Sequence, residues 1–334
     1  MSKRMIRQLN NPISQRVSPF LPIYLESLVV NSVLGFDLFI KLGREMVLYR
    51  SKQLAFTDNT RRKLLDNRVE KLYVPFAAKH EYQEYIESNL GKIIQDPSIR
   101  EEKKAGIIYE ASKSLVKDVL ANPSLGENIQ RSKDMVANQV SYILKGREAF
   151  LNLMKITSFD YYTYTHSVNV CTFAIALADY LGISSEANLR DLGLGALLHD
   201  VGKSKVSERI LNKRAPLNRA EFEIVKKHPE WGLDIVKDSN LINENTRYPI
   251  IQHHERIDGS GYPSGVLGKH IHDFGKIIAV CDVFDALTTR RVYQDALETF
   301  SAFRVMYDNR HEFDEKILQE FTVLMGPDDG IRRV

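Results

Sequence analysis

Two adjacent histidines open the stretch from His253 to Pro263, which reads HHERIDGSGYP. Pairs of imidazoles suit borderline metals such as iron, zinc or nickel. The glycines that follow predict a tight loop that can bring the backbone close to a ligand. Two solvated side chains at a helix end explain a histidine pair equally well. The meaning of this pair therefore depends on whether partners for it exist elsewhere in the chain.

Such partners occur in order along the chain. The candidate ligand set is His166, His199, Asp200, His228, His253, His254 and Asp282. Alone, His166 would more often be a hydrogen-bonded core histidine, because it stands beside an apolar helical stripe. Asp200 follows the apolar run LGLGALL, and a buried ionised carboxylate needs a partner such as a divalent metal. Its two oxygens also allow it to bridge two ions, whereas a neutral imidazole offers one lone pair.

The set resembles the HD superfamily of metal-dependent phosphohydrolases, whose signature is H…HD…D, and in particular its HD-GYP branch. The resemblance covers roughly residues 150 to 326. It includes LLHDVGK at 197–203, HHERIDGSGYPSG at 253–265 and DVFDALTTRR at 282–291. Three motifs in the right order are much more specific than any one of them. The resemblance implies a phosphodiesterase that hydrolyses cyclic di-GMP to pGpG, with slower further hydrolysis to GMP left open.

The resemblance also implies two divalent ions, with iron as the expected metal and manganese or another transition metal as alternatives. One ion would be held by His166, His199, Asp200 and Asp282. The other would be held by Asp200, His228, His253 and His254. Some family members bind a third metal through a glutamate four residues before the first histidine, but here that position is Tyr162. We therefore expect two ions.

Other residues are candidates for chemistry and for substrate contact. Lys203 lies one turn after His199 if the helix continues, where its ammonium would offset charge on the phosphate or the leaving oxygen; the alternative is a solvated helix-end cation. Tyr262 offers a ring face for guanine and a hydroxyl for a phosphate oxygen. The remaining candidate substrate-binding residues are Arg256, Gly261, Pro263 and Arg291. Gln294 stands where some members carry a further cation, which puts affinity in doubt more than chemistry.

Two other functions remain open. The same chemistry on a second cyclic dinucleotide, such as mixed cyclic GMP-AMP, is compatible with every motif, because nothing in the sequence selects the second base. A metal-bound receptor or partner-binding module without turnover is the alternative from another class. The intact ligand set argues against the receptor, and Gln294 argues mildly for it.

Net charge, cysteine content and apolar runs bear on the partners and the cellular location of the protein. The formal net charge is +3 over 334 residues, which gives no electrostatic reason to expect duplex nucleic acid or an anionic membrane as partner. Cys171 and Cys281 lack paired spacing, which favours a reducing compartment. No apolar run is long enough for a transmembrane helix. We expect a cytoplasmic protein.

The fold expected is a small α+β domain followed by an all-α HD-type helical bundle. We place a polar tail at 1–18, an N-terminal regulatory or sensory α+β domain at 19–92, a helical linker at 93–150 and an HD-GYP catalytic domain at 151–334. The N-terminal domain has no phosphate-binding glycine loop, so its signal is unknown. Self-association or contact with a signalling protein through this domain is one possible role.

Particular elements are also predicted. Strands are expected in LPIYL, FDLFIKL, EMVLYR and KLYVPF, with a helix capped at Thr57 or Asp58 and another around 80–90. Residues 127–157 are expected to form one long helix. A final amphipathic helix should run from Asp314 to Met325.

Overall fold

The computed structural model describes residues 19–69, 71–124, 126–157, 163–213, 215–290 and 296–326. The polar tail at 1–18, Tyr162, Arg291 and Gln294 lie outside the described residues. The chain divides into two compact units, with the boundary between Ile93 and Ile94. Residues 94–150 thus share a unit with the helices of the HD-like motifs.

The first unit is built on a small antiparallel sheet. The strands of this unit are β1 (Phe20–Tyr24), β2 (Ser32–Val33), β3 (Leu38–Leu42), β4 (Glu45–Arg50), β5 (Ala55–Phe56) and β6 (Lys71–Pro75). Four of them form a sheet in the order β1-β6-β3-β4, and β2 pairs with β5. The predicted strands and the α+β class are confirmed. Alternation places Leu72 and Val74 of β6 in the core.

Two helices complete this unit. They are α1 (Asp58–Asp66) and α2 (Lys79–Gln95), and the last two residues of α2 lie beyond the boundary of the unit. Thr57 caps α1 by accepting a hydrogen bond from the Thr60 backbone N–H, which confirms the predicted start. The second helix continues beyond the predicted residue 90, because its apolar spacing extends through the buried Ile93 and Ile94.

The second unit is helical. Its helices are α3 (Glu101–Ala121), α4 (Gly126–Ile143), α5 (Arg147–Ile156), α6 (Thr163–Tyr180), α7 (Glu186–Leu198), α8 (Glu208–Leu211), α9 (Arg219–Val225), α10 (His228–Val236), α11 (Glu244–Gln252), α12 (Asp273–Thr288), α13 (Thr299–Asp308) and α14 (Glu315–Met325). The helical-bundle class and the final helix are confirmed. The single long helix predicted at 127–157 is wrong: it is divided at Gly146, whose φ of 121° does not fit a right-handed helix.

Helices α6 and α12 lie at the centre of this unit. Both are buried on nearly every face, as expected of a helix that is apolar all round. They pack on each other, α6 packs on α7, and α11 packs on both α7 and α12. Helices α3 and α4 cover α6 and α7 from outside the HD-like motifs. Among the described residues, the helices lack the combination of length and apolar character that a bilayer crossing requires.

Candidate metal centre and active site

The seven predicted ligands lie together in the second unit. His166 is in the first turn of α6, His199 and Asp200 follow the end of α7, and His228 begins α10. The pair His253 and His254 follows the end of α11, and Asp282 lies within α12. All are buried except His254, which is partly exposed. Each ligand therefore comes from a helix or a helix end that packing holds in place.

His166, His199 and Asp200 form a first group of possible ligands, whose ligand atoms all lie within 4.8 Å of one another. The Nε2 atoms of His166 and His199 are 3.3 Å apart. Asp200 Oδ2 lies 3.7 Å from His166 Nε2 and 3.5 Å from His199 Nε2. Asp282 Oδ1 approaches His166 Nε2 at 3.0 Å. The four residues implied for one ion are thus brought together.

His228, His253 and His254 form the second group, which meets the same 4.8 Å limit. The Nε2 atoms of His228 and His253 are 3.0 Å apart. Asp200 Oδ1 lies 3.2 Å from His228 Nε2 and 4.0 Å from His253 Nε2. One oxygen of Asp200 therefore faces each group.

Asp282 also lies between the two groups. Its Oδ2 is 3.7 Å from His254 Nδ1, while its Oδ1 is beside His166. The family resemblance implied contact with the first group alone. The rotation of α12 presents both oxygens of the carboxylate to the cluster.

Hydrogen bonds at the far side of each ring fix the protonation of four imidazoles. The Nδ1–H groups of His199 and His228 donate to the carbonyl oxygens of Ala196 and Val225, both at 2.7 Å. His253 Nδ1 donates toward the Pro249 and Ile250 carbonyls, and His166 Nδ1 donates to Asp285. When these rings are neutral, Nε2 is the atom with the free lone pair, and the Nε2 atoms of His166 and His199, and of His228 and His253, face each other.

Facing lone pairs at 3.0 and 3.3 Å repel unless a cation lies near both. Asp200 Oδ1 is buried and accepts no hydrogen bond from the described residues. Burial also lowers the pKa of His199 and His253, so both rings are neutral at pH 7. Neutral imidazoles and carboxylates around an unsatisfied oxygen are the donor set that transition metals bind. The residues present therefore fit a divalent metal.

The two carboxylates remain ionised. Burial acts to raise the pKa of Asp200, but the effects of its neighbours, of which the charge of Lys203 is the largest, outweigh it and hold the pKa well below its ordinary value. Burial acts in the same way on Asp282, where the neighbouring imidazoles, His166 first and then His254, outweigh it and lower the pKa. Both groups are thus charged ligands at neutral pH.

Lys203 lies on a 3-10 turn, Val201–Lys205, and not on a continuation of α7. The condition that the helix continues past His199 is not met, since α7 ends at Leu198. Lys203 Nζ nevertheless donates to Asp200 Oδ2 at 2.6 Å. The turn places an ammonium directly at the ligand cluster, while its catalytic role stays a prediction.

Two backbones meet where this turn packs against α10. A Cβ atom added to Gly202 would lie 1.9 Å from the His228 carbonyl oxygen and 2.5 Å from the Gly232 backbone N. Only glycine permits this approach. The main chain that follows Asp200 is therefore in direct contact with the main chain that carries His228.

The loop after His254 is held from within. Glu255 is buried, and its carboxylate accepts hydrogen bonds from the backbone N–H groups of Ser264 at 2.8 Å and Val266 at 3.2 Å. The Tyr262 N–H donates to the His254 carbonyl oxygen at 3.1 Å. The Tyr262–Pro263 peptide bond is cis. Gly261 and Pro263 thus belong to the loop beside the ligands. Their contact with substrate stays a prediction.

Tyr262 lies against the second group of ligands. Its ring stacks on His254 with centroids 4.6 Å apart, and Phe222 of α9 meets it edge-on at 6.5 Å. Lys226 Nζ lies 5.6 Å from the ring centroid. Burial raises the pKa of Tyr262, so its hydroxyl stays protonated and can donate a hydrogen bond. The contact with Phe222 and Lys226 had no signal in the sequence.

The Arg256 side chain forms hydrogen bonds with other groups of the protein. Its Nε donates to Glu312 at 3.1 Å, and one terminal nitrogen donates to the carbonyl oxygens of His253 and Glu255. The guanidinium also lies 5.5 Å from the ring centroid of Phe313. These contacts hold the loop, and direct contact with substrate stays a prediction. Arg291, the other predicted cation, lies outside the described residues.

Sequence reasoning missed the residues that support the ligands. Asp285 accepts the His166 Nδ1–H, and Asn169 donates to the other oxygen of Asp285. Asp285 is three residues after Asp282, and Asn169 is three residues after His166. That spacing places each on the same helix face as a ligand. It was the feature of the sequence from which these two supporting residues could have been predicted.

Comparison with known proteins is decisive for the family. The HD domain family model matches residues 148–317, which is half of the chain. The chain belongs to the HD domain family. The matched HD domain contains all seven candidate ligands, and the predicted resemblance is confirmed.

Among curated relatives, the cyclic di-GMP phosphodiesterase PA4108 of Pseudomonas aeruginosa is 34% identical over 226 residues. That match covers 67% of this chain and 54% of the relative. The 3'3'-cGAMP-specific phosphodiesterase 3 of Vibrio cholerae is 37% identical over 150 residues, which cover 45% of this chain and 32% of the relative. The chain therefore spans about half the length of the first relative, and less of the second.

A solved structure extends the likeness beyond the HD domain. The protein Bd1817 of Bdellovibrio bacteriovorus, described as an HDG"Y"P protein, superposes with a TM-score of 0.64 at 25% identity. The superposition covers 92% of this chain and 100% of that one. The similarity in fold thus includes most of the region that precedes the HD domain.

Proposed function

We propose that this protein is a metal-dependent phosphodiesterase that hydrolyses cyclic di-GMP to pGpG. The observation that carries the proposal is the convergence of four imidazole Nε2 atoms on the charged Asp200, with the Nδ1 atom of each ring already hydrogen-bonded elsewhere. The name of the Pseudomonas aeruginosa relative supports cyclic di-GMP as substrate. Hydrolysis of pGpG to GMP is a slower second step in this proposal.

Two divalent ions are proposed, because Asp200 presents one oxygen to each group of histidines. His166, His199 and Asp282 would hold one ion, and His228, His253 and His254 the other. Iron is the expected metal and manganese the alternative, since imidazole-rich sites with carboxylates accept both. When bound, the ions would supply Lewis-acid polarisation of phosphate and activation of water.

The chain's own groups are assigned to binding and charge. Lys203 extends its ammonium to the ligand cluster, where it would stabilise negative charge that develops on the phosphate or the leaving oxygen. The Tyr262 ring would stack on a guanine, and its protonated hydroxyl would donate to a phosphate oxygen. Arg291 is proposed as a further phosphate or base contact, since a guanidinium suits either.

A different cyclic dinucleotide is the second candidate substrate. The Vibrio cholerae relative, at 37% identity, is named for 3'3'-cGAMP. The identity to this relative is as high as that to the cyclic di-GMP enzyme, although over a shorter match. Both substrates therefore belong in the same assay.

The remaining proposals concern the setting of the enzyme. We place catalysis in residues 151–334, and a regulatory role in the N-terminal α+β unit, through self-association or a signalling partner. A cytoplasmic location is proposed from the unpaired spacing of the two cysteines, both of which are buried free thiols.

The test is hydrolysis by protein purified anaerobically and loaded with Fe²⁺ or Mn²⁺. Cyclic di-GMP and 3'3'-cGAMP would be supplied in parallel, and pGpG and GMP would be separated by chromatography. Turnover that disappears in a chelator and in a His253→Gln protein supports the proposal. Tight binding of cyclic di-GMP without turnover by metal-loaded protein would identify a receptor and overturn it.

A further inference from the structure

A buried chain of hydrogen bonds runs from His166 to helix α3. His166 Nδ1 donates to Asp285 Oδ2 at 2.7 Å, and Asn169 Nδ2 donates to Asp285 Oδ1 at 2.8 Å. The Tyr109 hydroxyl then donates to Asn169 Oδ1 at 2.9 Å. Tyr109 belongs to α3, which precedes the part of the chain that the HD domain family model matches.

Every member of the chain is buried. The exposed fractions are 2% for Tyr109 and 1% each for Asn169, Asp285 and His166. A buried polar group that loses its partner is costly, since water cannot replace the lost bond. The orientation of each member is therefore determined by the next one.

The direction of the bonds leaves little freedom. The two oxygens of Asp285 face the His166 Nδ1 and the Asn169 amide nitrogen, so Asn169 turns its NH₂ toward Asp285 and its oxygen toward Tyr109. The Tyr109 hydroxyl must donate, because Asn169 Oδ1 cannot. Two oxygens of one carboxylate thus hold His166 on one side and Asn169 on the other.

We infer that Tyr109 and Asn169 are positioning residues for the His166 ligand and act on it through Asp285. Partners that hydrogen-bond to a ligating imidazole fix its tautomer and ring orientation and raise its basicity. Here that support continues through two further residues to α3. The metal site is therefore completed by a helix outside the HD domain. The inference rests on the metal site of the proposed function, but not on the identity of the substrate.

Tyr109→Phe is the decisive change, because it removes one hydroxyl and keeps the ring and its packing. The matched control is Tyr142→Phe in α4, which removes a buried hydroxyl that donates to the Glu101 carbonyl oxygen at 2.8 Å. The two variants lose the same group from the same helical unit. They differ in whether that group leads to His166.

Mn²⁺ affinity is the readout, measured from the electron paramagnetic resonance signal of unbound Mn²⁺ during a titration. Loss of a partner of a ligating histidine costs about 10- to 100-fold in metal affinity, so Asp285→Asn should fall in this range. Tyr109→Phe should weaken Mn²⁺ binding by a smaller factor of about 3- to 10-fold, because it acts two residues further away. Tyr142→Phe should bind Mn²⁺ as the unaltered protein does.

A double variant tests the route of the effect. If Tyr109 acts through Asp285, then Tyr109→Phe should add little weakening to Asp285→Asn, since coupled residues are not additive. Equal Mn²⁺ affinity in Tyr109→Phe and Tyr142→Phe would overturn the inference, as would full additivity in the double variant. Failure of the proposed function is distinguishable, because protein that binds Mn²⁺ but hydrolyses no cyclic dinucleotide leaves this result unaffected.

Discussion

Replacing Gly261 by alanine should disrupt the loop that carries Tyr262. A Cβ atom at this position would lie 2.4 Å from the Arg256 backbone N and 2.5 Å from both the Glu255 Cα and the His254 carbonyl oxygen. All three atoms belong to the main chain, so no side-chain rotation can relieve the contact. The conflict is one of space, since φ at Gly261 is not positive.

The size of the effect follows from these distances. An ordinary Cβ contact begins near 3.4 Å, so the backbone must move apart by about 1 Å. A displacement of about 1 Å can lower catalysis by about 100-fold, and we expect that loss in kcat/KM for cyclic di-GMP. Forcing a methyl group into a filled space costs about 1–3 kcal/mol of stability. Metal affinity should also fall, because the His254 backbone is among the atoms that must move.

The assay compares steady-state hydrolysis of cyclic di-GMP with that of bis(p-nitrophenyl) phosphate, together with metal content. The generic ester should lose less activity, since it has no guanine for the Tyr262 ring. The matched control is Gly106→Ala in α3, where a Cβ atom meets nothing within 4 Å. It should raise stability by about 0.5–1 kcal/mol and leave hydrolysis unchanged. Wild-type kcat/KM in Gly261→Ala protein would refute the reasoning.

Three further predictions concern the ligands and the ring beside them. Asp200→Ala should remove both ions and His228→Ala mainly one, because Asp200 faces both groups of ligands and His228 belongs to one. Two tightly retained ions in Asp200→Ala protein would contradict this. Tyr262→Ala should lower kcat/KM for cyclic di-GMP by about one to two decades, because it removes a stacking contribution of about 1–3 kcal/mol. Hydrolysis of bis(p-nitrophenyl) phosphate should change little. Equal losses on the two substrates would argue against a role of Tyr262 in recognition. Burial depresses the pKa of His199 and His253 in the folded protein, whereas unfolded histidine takes up protons below about pH 6.5. The thermal stability of metal-free protein should therefore be retained above that pH and decline below it. The decline should be shallower in His253→Gln protein. An identical pH dependence in the two proteins would exclude a contribution of His253 to the loss of stability.

That these seven residues lie together could be predicted from their types and from their order along the chain. Histidines and aspartates placed after apolar runs need a buried partner, and the order of the motifs specified which family brings them together. The sequence also predicted the α+β unit and the helical bundle, because alternation and helical spacing of apolar residues are local properties.

Other features depend on distances that no local pattern contains. The hydrogen bond from Arg256 to Glu312 joins residues that are 56 positions apart in the chain. The role of Asp285 depends on how α12 is rotated against α6, and the division of the helix at Gly146 depends on a backbone angle that many glycines in helices do not adopt. Phe222 and Lys226 approach Tyr262 only once α9 is folded against the loop.

The contact between Gly202 and α10 sets a limit on how this centre can change. Gly232, on the α10 side, is also close to the turn: a Cβ added there would lie 3.4 Å from Gly202 N and 3.0 Å from Ile250 Cγ2. The spacing between the first group of ligands and His228 is consequently a property of the main chain. Exchange of ligand side chains can alter which ion is preferred, but it leaves this spacing intact. A change in the distance between the two groups of ligands would require the two glycines to be replaced, and with them the packing of the turn against the helix.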